Sequence, residues 1–325
     1  MHILQLVLWL LCGGQIFALN LSEESARELF QQFKNKYHKN YNGYDNEKRF
    51  EIFKTNLKRA EEFQQSEQGT AQYGVTRFSD LTAEEFRSQF ANAKVDPNWR
   101  TDSVAVVSSN RKIPKKVNWL KRGAVTPVED QGHCGSCWAF SVAGNIEGQW
   151  YLKKGVLIPL SKQQLLDCDK RDHGCDGGYP PRCYDEVKHM GGLASSEDYP
   201  YKAASQTCQL NQTLGFAAFV NASMGIPENE EIQKKWLAEN GPMSALINSE
   251  PLQFYQSGIL FPAFCPVSGI DHAVLTIGYG QQKGYDYWLV KNSWGKNWGE
   301  EGYFRIYRGR GVCGINSMCT TAVIY

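Results

Sequence analysis

The chain has 325 residues, of which 42% are hydrophobic and 21% charged, with a formal net charge of +1. That length allows a large core or two to three domains. Acidic and basic residues are well mixed, and no repeat or low-complexity run appears, so there is no electrostatic case for nucleic acid or an anionic membrane surface as partner.

In chain order, Ile3 to Cys12 form a short apolar run, followed by Gly13-Gly14-Gln15 and Ile16-Phe17-Ala18. The run is too short to span a bilayer and reads as a secretory signal peptide cleaved after Ala18. Its first residues, Met1-His2, lack the usual basic charge. No later stretch reads as transmembrane. Residues 19–112 are charged, helix-leaning and free of cysteine. Ser22 is placed to cap a helix with Ala26, Leu29, Phe30, Phe33 and Tyr37 on one face. A second helix carries Phe50, Phe53, Leu57 and Ala60, with Asp45 and Arg49 at the spacing of an i,i+4 ion pair. Residues 91–111 are polar and aperiodic and read as an exposed connection.

The helical signal resumes at Cys137. Ala139, Val142, Ala143, Ile146 and Trp150 recur at helical spacing, and Lys153, Lys154 and Gly155 mark the stop. Ser161 to Gln164 is a capping-box pattern opening another helix. From about Ala217 the pattern becomes strand-rich: Ala273 to Gly278, Tyr287 to Val290 and Gly302 to Tyr307 are β runs between turns. A helical first half and a strand-rich second half point to an α+β fold of two packed subdomains.

Ten cysteines occur. Losing Cys12 with the signal peptide leaves nine, and an odd number in a secreted chain implies one free thiol. Cys137 is the candidate, because a thiol at a helix N-terminus feels the positive end of the helix dipole, which favours the nucleophilic thiolate. A base must come from the histidines. His2 leaves with the signal, His38 lies before the second helix, His133 sits on a turn, and His173 and His189 read as surface. His272, at the start of a strand, is the best placed. Asn292 could orient its ring or could be an ordinary turn residue, and Gln131 alone would be an ordinary loop glutamine. Three N-glycosylation sequons begin at Asn20, Asn211 and Asn221.

The segment Gln131-Gly-His-Cys-Gly-Ser-Cys137-Trp, with Asp271-His272-Ala273 and Lys291-Asn292-Ser293-Trp294-Gly295 downstream, resembles the papain family of cysteine peptidases. Upstream, Arg49, Phe53, Asn56, Ala60 and Gln64 resemble the propeptide helix motif of cathepsin F-like members, with Asp45 where that motif has Glu. Gly74, Thr76, Phe78 and Asp80 match a second propeptide motif. Ile113 to Trp119 resembles a mature N-terminus. The resemblance covers residues 22 to 325. It implies a signal peptide (1–18), a helical inhibitory propeptide (19–112) and a papain-like peptidase domain (113–325). In that fold a helical left subdomain and a β-barrel-like right subdomain flank a cleft.

By the same resemblance Cys137 is the nucleophile, His272 the base, Asn292 its orienter, Trp294 the shield over that contact, and Gln131 the oxyanion donor. Gly177 and Gly178 pair with the substrate backbone. Tyr179, Pro180, Leu246, Ile270, Ala273 and Met318 line the pocket for the residue two before the cut, which being apolar should favour Leu, Val or Phe. The propeptide runs through the cleft backwards relative to substrate, and carboxylates such as Asp80, if paired, would release it in acid. Family disulfides map onto Cys134–Cys175, Cys168–Cys208 and Cys265–Cys313. Cys183 and Cys319 remain, both bordering the pocket by position, and are expected to form a fourth bridge.

The resemblance further implies polypeptide substrates, cystatin-type inhibitors, a monomer, a lysosomal or secreted location, and no cofactor or metal. The absence of an insertion that would block the cleft implies an endopeptidase. Some members carry an additional N-terminal cystatin-like domain, for which this reading finds no room. Three other readings are weaker. A thiol–disulfide oxidoreductase using Cys134-x-x-Cys137 lacks the preceding βαβ pattern, and zinc at His133, Cys134 and Cys137 lacks a second ligand pair. A non-catalytic binding protein on the same fold would not need the whole set of Gln131, Cys137, His272 and Asn292.

Overall fold

The structure, a computed structural model, describes residues 22–98, 100–107, 112–210 and 215–325. The expected signal peptide and the sequons at Asn20 and Asn211 lie outside the described residues. Asn221 is exposed.

The N-terminal region holds helices α1 (Glu23–Tyr37), α2 (Gly43–Ser66) and α3 (Ala83–Phe90). Ser22 caps α1, its hydroxyl accepting from the Ser25 N–H at 3.2 Å. Ala26, Phe30 and Phe33 meet Phe50 and Phe53 in a separate aromatic core, on the faces the periodicity predicts. The expected Asp45–Arg49 pair is not what forms. Arg49 instead reaches Glu85 at 2.6 Å and the Asp80 carbonyl at 2.9 Å. A tertiary partner in a sheltered site outcompetes an exposed neighbour on the same helix, whose pairing is worth only tenths of a kcal/mol. Helix α3 was not foreseen. Its signal is the capping box Thr82-x-x-Glu85, in which each side chain accepts from the other residue's backbone N–H.

The strands are β1 (Gln72–Tyr73), β2 (Ser103–Val104), β3 (Val117–Asn118), β4 (Ala222–Ile226), β5 (Met243–Ile247), β6 (Tyr255–Ser257), β7 (Ile259–Leu260), β8 (His272–Gln282), β9 (Tyr285–Lys291), β10 (Tyr303–Tyr307) and β11 (Cys319–Val323). The later helices are α4 (Cys137–Lys154), α5 (Lys162–Cys168), α6 (Pro180–Met190) and α7 (Glu230–Asn240). One sheet runs β2-β4-β11-β5-β8-β9-β10-β7, with β3 also on β8. Its end strands, each two residues long, do not pair with one another. The expectation of a barrel is therefore corrected to an open, mostly antiparallel sheet.

Helix α4 is buried from Cys137 almost continuously to Gly148, rather than on one face as an amphipathic pattern suggests. It lies between the sheet strands β5, β8 and β11 and the helices α5 and α6. Two glycines permit that closeness: a Cβ at Gly144 would meet Leu275 at 3.0 Å, and one at Gly148 would meet Pro242 at 3.0 Å. The helix ends at Gly155 in the left-handed region, as its sequence predicts.

The connection after α3 is only partly exposed. Ser103 and Val104 pair in parallel with β4, the Ala105 N–H donates to the Gly225 carbonyl, and Ala105 is buried. Backbone pairing at a free sheet edge needs no side-chain periodicity, so the pattern gave no sign of it.

Three disulfides form, Cys134–Cys175, Cys168–Cys208 and Cys265–Cys313, with Cα separations of 4.6, 4.8 and 4.8 Å. The fourth does not. Cys183 and Cys319 are free and buried. Cys183 packs in the helical core with Tyr184 and Val187, whereas Cys319 packs in the core on the other side of the sheet. Along β11, Ala322 faces the helical core and Cys319, three positions away, faces the opposite side. The two thiols fill space as small hydrophobes.

Candidate active site

Cys137 is the first residue of α4 and fully buried, with no acidic residue in the helix's first turn. His272 opens β8, which pairs with β5 so that His272 lies opposite Ile247. Its Nε2–H donates to Asn292 Oδ1 at 2.8 Å, so Nδ1, buried and without a hydrogen-bond partner, is the free ring nitrogen. Trp294 stacks on the imidazole at 4.6 Å and 24°. Gln131 donates through Nε2 to the Cys134 carbonyl at 2.8 Å, and its Oε1 accepts from the Ser293 hydroxyl. His272 thus contacts both Asn292 and Trp294, Gln131 is tied to Ser293 beside them, and Cys137 lies against the Ala273 backbone next to His272.

Burial acts on both ionisable groups. It pushes the Cys137 thiol up to about 12, against backbone hydrogen bonds from Ala273, Asn92 and Trp138 that favour the thiolate. It pushes His272 down to about 4, with the Asn292 contact opposing. In both groups burial is the largest influence, and it disfavours the charged form.

The chain's own residues 90–94 run alongside these groups, with the Asn92 backbone against Cys137. The Phe90 carbonyl accepts from Gln131 Nε2 at 3.2 Å and from Trp294 Nε1 at 3.0 Å. The Ala93 N–H donates to the Asp271 carbonyl at 2.7 Å, and the Lys94 N–H to the Gly178 carbonyl at 2.8 Å. Ala93 bridges Gly178 in the parallel sense. A Cβ at Gly177 would lie 2.0 Å from the Asn92 carbonyl oxygen, so a bound backbone can approach here only because the side chain is absent.

Five of the residues expected at the pocket share one hydrophobic cluster. Tyr179, Leu246 and Ala273 are buried in one cluster, against which Ile270 and Met318 pack. The Tyr179 hydroxyl lies 4.0 Å from Met318 Sδ, and Pro180 is buried at the first position of α6. Other histidines stand apart: His173 and His189 are exposed, and His133 contacts Gln89 at 2.9 Å. Cys134 is bridged to Cys175, so Cys134-x-x-Cys137 is not a dithiol pair. Among the described residues no group of three or more His, Cys, Asp or Glu side chains is arranged for a metal.

Sequence reasoning missed the support behind these residues. Ser293 holds the Gln131 amide. Behind Asn292, Lys162 and Glu147 pair at 3.2 Å, and Lys291, pushed down to about 8 by burial, donates to Thr126 at 2.9 Å. Lysines and glutamates in mixed sequence look like surface, and only their placement reveals the buried network.

The papain family cysteine protease profile matches residues 113–323. The chain belongs to the papain family. A cathepsin propeptide inhibitor domain matches residues 30–86. The chain is 44% identical to cathepsin F of Mus musculus over 91% of its own length and 64% of that relative's. It is 42% identical to cathepsin F of Drosophila melanogaster over 93% of its length and 51% of the relative's. It thus spans only about half to two-thirds of these two proteins. A digestive cysteine proteinase of Homarus americanus is 39% identical, with 92% of this chain and 96% of that one covered. Among solved structures, procathepsin L2 from Tenebrio molitor larval midgut superposes with a TM-score of 0.84 at 31% identity, covering 92% of this chain and all of that one. The stem bromelain precursor gives 0.82 at 33% identity over 92% of this chain and 99% of that one.

The propeptide match explains the spacing of the α2 motif. Arg49 holds the Asp80 carbonyl, Asn56 donates to the Ser79 and Leu81 carbonyls at 3.0 and 2.7 Å, and Gln64 donates to Ala71 and accepts from the Tyr73 N–H. Residues about two turns apart on one helix thus staple the segment 71–81. That segment in turn docks on the protease: β1 pairs with β6, Thr76 Oγ1 donates to the Gln253 carbonyl at 2.6 Å, and Arg77 makes a two-pronged pair with Asp130, beside Gln131. Asp80 pairs with Lys39 at 3.0 Å and accepts from the Tyr41 hydroxyl.

Proposed function

We propose that this chain is the autoinhibited zymogen of a cysteine endopeptidase. The observation that carries the reading is the segment 90–94, whose backbone occupies the groups a substrate backbone would use, at Gln131, Gly178 and the Asp271 carbonyl. With the segment gone, water re-enters and the pair can hold charge as thiolate and imidazolium. Cys137 then attacks the scissile carbonyl, while Gln131 Nε2–H and the Cys137 N–H stabilise the oxyanion. His272 gives its proton to the leaving amine, and then deprotonates the water that hydrolyses the thioester. Asn292 and Trp294 hold the ring.

The apolar cluster of Tyr179, Pro180, Leu246, Ile270, Ala273 and Met318 supports a preference for Leu, Val or Phe two residues before the cut. The reading includes removal of residues 1–18, cleavage near Lys112, a polypeptide-cleaving monomer in a lysosome or outside the cell, inhibition by cystatin-type proteins, and glycosylation at sequons such as Asn221. The test is Cys137→Ala. Loss of both peptidase turnover and self-processing near Lys112 is expected, and turnover by that variant would overturn the assignment.

A further inference from the structure

Between α5 and α6 the chain makes a tight loop, 169–179, that carries Gly177 and Gly178 and ends at Tyr179 on the pocket wall. It is pinned at Cys168 and Cys175 by disulfides. Its opening residue Asp169 accepts through Oδ1 from the N–H groups of Arg171 and Asp172 at 2.8 and 2.9 Å. The Asp172 side chain is wholly buried. Its Oδ1 accepts from the Tyr179 N–H at 3.0 Å, from Arg182 Nε at 3.1 Å and from Arg182 Nη2. One carboxylate oxygen thus ties the start of the loop to its end and to α6. The other oxygens, Asp169 Oδ2 and Asp172 Oδ2, are buried and have no hydrogen-bond partner, although the two side chains are in contact.

Two contacting carboxyl groups with one orphan oxygen each are satisfied together by a single proton. Resting on the peptidase reading above, we propose that Asp169 and Asp172 share one proton, and that this proton, with Arg182, holds the Gly177–Tyr179 wall of the substrate pocket in position. The proton forms an O–H···O bond between the two carboxyls. The remaining negative charge is matched by the Arg182 guanidinium. Loss of the proton leaves two buried like charges against one cation, and the loop's tie to Tyr179 loosens.

The surroundings favour the protonated form. Burial, and then the Asp172 charge, push Asp169 up to about 7. The other charged or titratable groups facing the pair are few. Arg171 is engaged with Glu186 at 3.0 Å, and Glu186 also faces His189 at 3.4 Å. From the propeptide, Asp96 lies 3.9 Å from Arg182. Cys183, beneath the pair, is held as a neutral thiol by burial. A group whose pKa is raised in the folded state stabilises in acid, and that contribution is lost as pH rises through the folded value. Asp169 and Asp172 are positioning residues, touching neither substrate nor the reacting atoms.

The experiment measures kcat and KM of the matured enzyme, normalised by active-site titration, on two peptides that differ only in Leu or Gly two residues before the cut. Between about pH 5 and pH 8 the wild type should lose about fivefold in Leu-over-Gly preference, the worth of roughly one hydrogen bond, chiefly through KM. Asp169→Asn, whose amide is a permanent donor, should keep the acid preference at the higher pH. Asp172→Ala should lose it at both. The same preference slope in Asp169→Asn and wild type overturns the proposal. A readout independent of catalysis uses the full chain carrying Cys137→Ala: its Tm should fall over this pH range, and adding Asp169→Asn should flatten the fall. An unchanged slope there overturns the pair even if no peptide is cleaved. Failure of the wild type to cleave either peptide with the Tm prediction met would instead sink the peptidase reading and leave the shared proton standing.

Discussion

The propeptide does two jobs with two kinds of structure. Its helical part, residues 22–90, has its own aromatic core and is held by named side chains: Phe30, Phe53, Arg49, Asn56 and Gln64. The extended stretch that follows, residues 90–94, meets the proposed cleft almost wholly through main-chain groups, the Phe90 carbonyl and the Ala93 and Lys94 N–H groups. Anchoring is therefore sequence-specific and blocking is sequence-tolerant. Any peptide can offer an extended backbone, but only a correctly anchored one offers it at high local concentration.

Substitutions can separate the two parts. Phe53→Ala removes a ring that packs at a tilt against Phe30 and Phe33, with centroids 5.3 and 5.1 Å away. It should destabilise the propeptide by about 3–5 kcal/mol and free the peptidase early, seen as processing without acidification and an added low-temperature unfolding step. Ala93→Pro removes the N–H that meets Asp271. It should cost about 1 kcal/mol of inhibition while leaving the Tm of the anchored helices unchanged, and a large Tm loss would contradict the division of labour.

Asp130→Ala breaks the latch to Arg77 beside Gln131. Burial pushes the Asp130 pKa up, but the Arg77 hydrogen bonds win and hold it below the ordinary carboxylate value. A depressed carboxylate pKa contributes stability above the unfolded pKa and loses it as pH falls through the folded one. The latch should therefore weaken in acid. The variant should process about two- to fivefold faster near neutral pH and gain less from acidification, the pair being half-exposed and worth under about 1 kcal/mol. Lys94→Ala, which keeps the backbone, should change processing least of all, within the roughly 0.5 kcal/mol scatter of surface substitutions.

The site was legible in the sequence to the extent that its chemistry is carried by short fixed strings. Cys137 before a helical run, His272 opening a β run, and Asn292 with Trp294 could each be found without coordinates, and so could the buried faces of α1 and α2. What escaped depends on who meets whom across the fold. Arg49 turned from Asp45 to Glu85, residues 92–94 and 103–105 gained backbone partners without any side-chain pattern, and Cys183 and Cys319 proved to sit on opposite sides of a strand. The full burial of Cys137 was not readable either, since a segment more than forty residues upstream lies against it.

Among the described residues the disulfides lie at Cys134 and beyond, and residues 19–112 contain no cysteine. A cut in the connection after Lys94 therefore changes the molecularity of inhibition. Before it, the blocking strand is tethered, and diluting the protein does nothing to its occupancy. After it, propeptide and peptidase are two molecules in a bimolecular equilibrium, and occupancy follows their concentration against a dissociation constant. A nicked chain would stay silent while concentrated and switch on when diluted, with no further bond broken.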